Sequence, residues 1–559
     1  MIDRSWRMNG FSRRGFLTAT LVAGSAAAIP GWAGSGTAMA ASTPFTLGVA
    51  SGDPAPDGVV LWTRLAPDPL AVDGRGGMPE VTVPVQWQVA ADDGFRRVVR
   101  EGTSRARPER GHSVHVELEG LRPGREYFYR FRAGGEISPV GRTKTAPPPG
   151  ADVDRLAFAF VSCQNWYEGF YTAYRHLAQE DLDVLFHLGD YIYEYGVGAS
   201  GGVRGIALPE QYLKETFTLT EYRNRHALYR TDPDLQAAHA AFPWMVTVDD
   251  HDVENNWARD ISQVDTEPDQ DPQVFMQRRA AAFQAYYEHL PLRRTSMPWG
   301  PDMRLYRRAS FGRLAAFHVL DTRQYRDDQP CGDGERVGCA ERLDPNRTML
   351  GARQEEWLLN GMARSRTTWN LLAQQLLMAP LDHDASPDVQ SFGMDLWDGY
   401  AAARDRLLTG MVERDVRNPV VLSGDIHRSL AAELKTDFDD PASPVMGVEF
   451  AGTSISSGKD GADQDRLGQT FLAANPHLKF HNVQRGYVRV TATPRELAVD
   501  YRVVPYVSRP GAPIATRASF AVEAGRPGLH QTADNPPTGA MTIPDVAGEL
   551  DHLAEQPKR

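Results

Sequence analysis

The sequence predicts an α/β core, β-sheets flanked by helices, preceded by an all-β sandwich of the fibronectin or immunoglobulin-like kind. Three observations carry this reading. Residues 43–145 run in short apolar-polar alternations broken by Gly, Pro and Asp, the pattern of half-buried strands and tight turns. From about Asp154 the pattern changes to strand, helix, strand, the mark of parallel pairing. Several of the later apolar runs stop abruptly on Cys, Asp or His, side chains that need a partner when they close a buried strand.

At 559 residues the chain exceeds a single core, and 42% apolar with 24% charged residues is ordinary for a soluble globular protein. A formal net charge of -12 argues against a nucleic-acid surface, which needs a basic face. It leaves a phosphate substrate open, because bound cations reverse a local field.

Residues 1–40 read as a twin-arginine signal peptide. Arg4, Arg7, Arg13 and Arg14 precede a weakly apolar run, "SRRGFL" carries the paired arginines, and Ala38-Met39-Ala40 is a small-x-small cleavage pattern. The expectation is export through the twin-arginine machinery to a periplasmic, cell-wall or secreted destination. No later segment reaches the ~20 apolar residues that span a bilayer, so no transmembrane helix is expected in the mature chain.

The sandwich, residues 43–145, is read from "GVVLWTRL", "VTVPVQWQVA" and "HSVHVELEGL". In "LRPGREYFYRF" a turn precedes Tyr127 and Tyr129, alternating as on the tyrosine-bearing strand of fibronectin type III domains. Pro147, Pro148 and Pro149 form a stiff linker. The second domain, residues 154–525, has the strands "RLAFAFVSC", "VLFHLGD", "WMVTVDD", "RLAAFHVLD", "WNLLAQQLLMA", "NPVVLSGD" and "MGVEFAGT", with long aromatic and acidic loops between them. "YVRVTATPRELAVDYRVV" is a hairpin, and residues 526–559 are expected to be a flexible tail. In an oxidising compartment Cys331 and Cys339, which bracket a polar loop, are expected to pair and leave Cys163 free.

Cys163, Asp190, Asp249-Asp250-His251-Asp252 and Asp425-x-His427 each follow an apolar strand. Open α/β sheets bind ligands beyond the carboxyl ends of their strands. Thiolate, carboxylate and imidazole delivered there by four strands predict a metal site. A single such residue would more often be structural; four coincident clusters are not easily so.

The motifs "SCQNW", "GDYIYEYG", "DDHDVENNW", "LDTRQYRD", "DLWDGY", "SGDIH" and "QRGYV", in this order, resemble the PhoD-like family of alkaline phosphatases and phosphodiesterases. The resemblance covers nearly all of the mature chain and implies a metallophosphatase core with an iron site, Fe3+, beside calcium, Ca2+. Residue by residue it implies that Cys163, Asp190, Tyr193 and His427 hold iron. It implies that Asp190 and Asp425 face calcium with an Asn of the pair Asn255-Asn256, Asn255 being favoured. Asp250 is a further ligand or an orienting group, and His251 faces the scissile phosphate or supports its neighbours. Arg323 and Arg485 are either substrate-binding or structural ion-pair arginines, and Trp397 and Tyr400 line a pocket or belong to the core. The implied activity is hydrolysis of phosphate monoesters, with phosphodiesterase capacity, by a metal-bound hydroxide. The competing readings are a dedicated phosphodiesterase acting on phospholipid head groups or teichoic polymers, and an exported binding protein with a dead metal core.

Overall fold

A computed structural model describes residues 43–440 and 442–537; the signal segment 1–40 and residues 538–559 lie outside the described residues. Two large sheets face each other. The first has ten strands in the spatial order Arg526–Asp534, Ala515–Glu523, Glu496–Val503, Gly486–Ala492, Leu156–Val161, Val184–His187, Pro243–Val246, Val49–Ala55, Gly58–Arg64, Ser113–Glu117. Its three central strands, Leu156–Val161, Val184–His187 and Pro243–Val246, run parallel. The second has seven, in the order Arg307–Phe311, Ala315–Val319, Trp369–Ala373, Pro419–Ser423, Val445–Ala451, Ser429–Lys435, Leu478–Asn482, of which the second to fifth are parallel.

The central strands are covered on both faces, which is why they read as unbroken apolar runs: all six residues of Leu156–Val161 are buried. Between the sheets lie Phe158, Phe186, Phe317, Leu371, Val420, Phe450, Val488 and Phe520. Phe317 stacks on Phe186 at 4.4 Å and meets Phe158 edge-on at 5.0 Å. Each such side chain contributes about 1.5–3 kcal/mol by leaving water. Outside the first sheet pack Thr172–Leu177, Leu219–Arg230, Pro233–Ala241 and Pro272–His289; outside the second, Gly351–Ala363, Ala401–Glu413 and Arg466–Ala474.

Several expectations change. The segments between the strands are not simply loops, because Leu219–Arg230 and Pro272–His289 are full helices. Their inner faces carry Arg223, Arg225, Arg230, Arg278 and Arg279, all buried, so no apolar stripe marks them in the sequence. The start of Leu219–Arg230 is nevertheless legible, since Thr218 and Glu221 form a reciprocal capping box. The sandwich is not self-contained either. Its Val98–Ala106, Val83–Ala90 and Glu126–Ala133 sheet packs on Val49–Ala55, Gly58–Arg64 and Ser113–Glu117, with Val85, Leu61, Val116, Tyr129 and Phe131 between. Those last three strands belong to the core's own sheet, because Val49–Ala55 pairs in parallel with Pro243–Val246. Tyr127 accepts the Arg122 N–H at 3.0 Å, fixing the turn before its strand. The tail does not begin at 526: Arg526–Asp534 is an edge strand paired with Ala515–Glu523. Cys331 and Cys339 are bridged and Cys163 is a buried free thiol. Among the described residues no helix is long and apolar enough to cross a membrane.

Candidate metal centre

The parallel strands of both sheets end at one rim. Leu156–Val161 runs into Cys163, Val184–His187 into Asp190, Pro243–Val246 into Asp249 to Asp252, and Pro419–Ser423 into Asp425 and His427. The backbone there is bent into left-handed conformation at Cys163 (φ 57°), Asp190 (55°), Asp425 (65°) and His427 (52°). Each such non-glycine residue costs on the order of 1 kcal/mol, and their concurrence at one rim marks a functional site. Gly189 has φ 118°, and a Cβ on it would lie 2.2 Å from that of Asp249, so only glycine lets the two strand ends meet.

Three donor clusters result: Cys163 with Asp190 and His427; Asp190 with Asp250 and His251; Asp249 with Asp250 and Asp425. In each, the ligand atoms lie within 4.8 Å of one another. Asp190 and Asp250 are shared, so the clusters form one adjoining series. The Tyr193 hydroxyl joins the first: it donates to Asp190 Oδ2 at 3.0 Å, lies 3.1 Å from His427 Nε2 and accepts from Ser457 Oγ at 2.7 Å.

The donors fit a cation. Asp190 Oδ1 is buried and accepts no hydrogen bond among the described residues. Burial, then the charge of Asp250, pushes the Asp190 carboxyl well above its usual range. Burial, then Asp249 and Asp250, does the same to Asp425. Burial and Asp190 drive up both the Cys163 thiol and the Tyr193 phenol. Burial and the neighbouring acids disfavour the anionic forms of these groups, which a bound cation would favour. The first cluster combines thiolate, imidazole and carboxylate, suited to a transition metal; the second pairs imidazole with two carboxylates; the third is all carboxylate, suited to a hard divalent ion.

Arg323 is fully buried beneath the carboxylates. It contacts Asp249 Oδ1 at 2.5 Å, Asp395 Oδ2 at 2.8 Å, Asp250 Oδ1 at 3.3 Å and Asp425 Oδ1 at 3.4 Å. Of the two alternatives for Arg323, its surroundings favour the structural ion pair, since its donors face acids and it is buried. Despite burial, Arg323 and then His251 hold Asp250 below the usual carboxylate range. The structural alternative is favoured for Arg485 too: it donates to the carbonyls of Lys459 (2.8 Å), His427 (2.7 Å) and Gly458 (2.7 Å) and is buried. It pins the His427 loop. Trp397 and Tyr400 pack in the core outside the second sheet.

His251 stacks on Tyr193 with centroids 4.2 Å apart, and its Nδ1 lies 2.8 Å from Glu194 Oε2. Burial opposes its charge, but Glu194, Asp250 and Asp190 outweigh that and raise its pKa well above the ordinary value. Of the asparagines, Asn256 donates its side-chain amide to Asp333 Oδ2 at 2.9 Å. Asn255 gives its backbone N–H to Glu194 Oε1 at 2.8 Å. Its side chain makes no hydrogen bond among the described residues.

Sequence reading missed three contributors, Glu194, Asp395 and Ser457, and named Asp252 only as part of a cluster. Glu194 holds both His251 and Asn255. Asp252 accepts the backbone N–H groups of Asp190 (3.1 Å), Tyr191 (3.0 Å) and Asp249 (3.0 Å), fixing the two acidic turns together. Asp395 anchors Arg323, and Ser457 supports Tyr193. Glu194, Asp252 and Asp395 sit inside quoted motifs; nothing in the sequence around Ser457 marks it.

Comparison with known proteins finds related phosphatases. The PhoD-like phosphatase family model matches residues 158–501, and the PhoD-like phosphatase N-terminal domain matches residues 31–147. The chain is 52% identical over 512 residues to alkaline phosphatase D of Bacillus subtilis (strain 168), covering 91% of this chain and 86% of that protein. The solved structure of PhoD superposes with a TM-score of 0.86 at 51% identity, covering 92% of this chain and 96% of that one. With a strand-end metal centre and these relatives, the chain belongs to the PhoD-like phosphatase family and is a phosphatase.

Proposed function

We propose that the chain is an exported alkaline phosphatase that hydrolyses phosphate monoesters, with capacity for diesters, at a mixed iron and calcium centre. Cys163, Asp190, Tyr193 and His427 hold Fe3+; Asp190, Asp425 and Asn255 hold Ca2+. Bound there, the cations neutralise charge on the transferring phosphoryl group and lower the pKa of the attacking water. The chain's own residues do the rest. His251, whose protonated form Glu194 favours, donates a proton to the departing alkoxide oxygen. Asp250, kept ionised by Arg323, holds the Asn256 backbone at Oδ2 (2.9 Å) and offers Oδ1 to the centre. Arg323 balances part of the buried negative charge. Export rests on the twin-arginine motif at Arg13-Arg14.

The observation that carries this reading is the run of three donor clusters sharing Asp190 and Asp250, with a buried Asp190 oxygen that has no hydrogen-bond partner among the described residues. The test is elemental analysis of the purified protein, together with a panel of monoesters and diesters. Iron and calcium bound per chain, with monoester turnover ahead of diester turnover, are expected. A different metal pair overturns the assignment of ions, and diester turnover alone establishes the dedicated phosphodiesterase.

A further inference from the structure

The loop after Ala315–Val319 is closed on itself by the Cys331–Cys339 bridge and grips one residue of the centre from several sides. Arg326 Nη2 and Gln329 Nε2 donate to the Asn256 carbonyl at 2.8 and 2.6 Å. Asp333 Oδ2 accepts from the Asn256 side-chain amide at 2.9 Å. Asn256 itself sits at φ 52° and donates its N–H to Asp250 Oδ2 at 2.9 Å. One loop thus sets the conformation of a strained residue that borders both Asp250 and Asn255.

Asp333 is the least ordinary member of this clamp. Its backbone, φ 63° and ψ -176°, lies in a region that essentially only glycine occupies, and it stands between Gly332 and Gly334. Its Oδ1 is buried and has no hydrogen-bond partner among the described residues. A strained backbone and a half-satisfied carboxylate are costly, so the surrounding structure must impose both. The imposing elements are visible. The bridge closes the loop, Glu335–Val337 pairs with Ser391–Gly393, and Met394 donates its N–H to the Gly334 carbonyl at 2.9 Å.

We propose that Asp333 is a positioning residue of the metal centre. Held by the bridged loop, it fixes Asn256, and through the Asn255-Asn256 backbone it aims the free Asn255 amide at the calcium position. This rests on the reading of Asn255 as a calcium ligand. The Asn255 N–H is fixed from the other side by Glu194, so the backbone on both sides of the Asn255 side chain is held.

The test is calorimetric titration of calcium into purified protein from which calcium has been removed by chelation, with iron content and thermal melting recorded for each variant. Asp333→Ala is expected to weaken calcium binding about tenfold or more, at unchanged iron content and with a cooperative melt. Asp333→Asn, whose amide oxygen still accepts from Asn256, is expected to recover most of that affinity. The double variant Cys331→Ser/Cys339→Ser is expected to weaken calcium in the same direction. Calcium affinity within about twofold of wild type in Asp333→Ala overturns the inference, as does an Asp333→Asn variant as weak as Asp333→Ala. Asn255→Ala separates the two levels. Weakened calcium there with normal affinity in Asp333→Ala removes only the positioning role. Unchanged calcium in Asn255→Ala removes the ligand reading, and this inference with it.

Discussion

Cys163 and Glu194 show how single side chains set this chemistry. Cys163 brings sulfur to a rim otherwise made of oxygen and nitrogen donors, and burial with Asp190 nearby disfavours its thiolate unless a cation pairs with it. On the proposed iron assignment, Cys163→Ser is expected to abolish the thiolate part of a visible charge-transfer band and lower activity at least about tenfold, with the fold intact. Tyr193→Phe should alter the remaining band with a smaller loss. Absorption spectra and iron content check both; full iron and an unchanged spectrum in Cys163→Ser would make the cysteine a packing residue. Glu194 raises the pKa of His251 across a 2.8 Å contact. If protonated His251 serves the leaving group, activity persists into alkaline solution until that raised pKa is passed. Glu194→Gln should then move the alkaline limb of the kcat/KM profile to lower pH and reduce the rate by about 10²-fold. A limb that stays in place separates Glu194 from the protonation of His251.

At the scale of elements, the strand-to-loop turns decide whether the donors meet. Gly189 lets the turn carrying Asp190 pass the one carrying Asp249, and Asp252 then ties the two together through backbone N–H groups. Gly189→Ala forces a side chain into a left-handed position against Asp249 and is expected to cost about 1–3 kcal/mol. Because the displacement falls at the rim, metal content and activity should drop further than melting temperature. Elemental analysis and melts on the same sample check this, and normal metal content in the variant would show that the rim absorbs the change. The helices over the first sheet follow a different logic. Leu219–Arg230 buries Arg223 against Glu288 (2.6 Å), and Pro272–His289 buries Arg278 against Glu254 and Asp269 (2.8 Å each). Their inner faces are paired charge, which neither a hydrophobic period nor a propensity reveals.

Across the whole molecule, the double sheet buries histidines along with its aromatics. Burial lowers His187, His226 and His318 from 6.5 to about 3. A depressed pKa means that the unfolded chain binds the proton more readily. The associated stability is complete above about pH 6.5 and is lost as pH falls toward 3, at up to about 1.4 kcal/mol per pH unit per histidine. The protein is expected to hold its melting temperature between pH 7 and 9 and to lose it steeply in acid, and His318→Asn should shallow that slope. Melting curves across the range check this; a flat profile from about pH 8 to 5 would contradict the linkage. The proposed export rests on residues 1–40 of the full chain. Replacing Arg13 and Arg14 by Lys should trap precursor in the cytoplasm, as fractionation and immunoblotting would show, and normal export of that variant would remove the twin-arginine assignment.

What the sequence determined by itself was local and chemical. Strands buried on both faces announced themselves as apolar runs, and the residues just beyond them carried the donor types, because a carboxylate or thiol closing such a strand has few other uses. Cys163, Asp190, Asp250, Asp425 and His427 were legible for that reason. Tertiary structure alone decided where the arginines point. Arg323 and Arg485 sit in motifs that suit a phosphate, yet one is closed in by four carboxylates and the other by three backbone carbonyls. It also decided that the front domain shares the core's sheet and that a distant serine, Ser457, supports Tyr193. A side chain's partner is fixed by contacts tens to hundreds of residues apart, and residue type constrains only what that partner must supply.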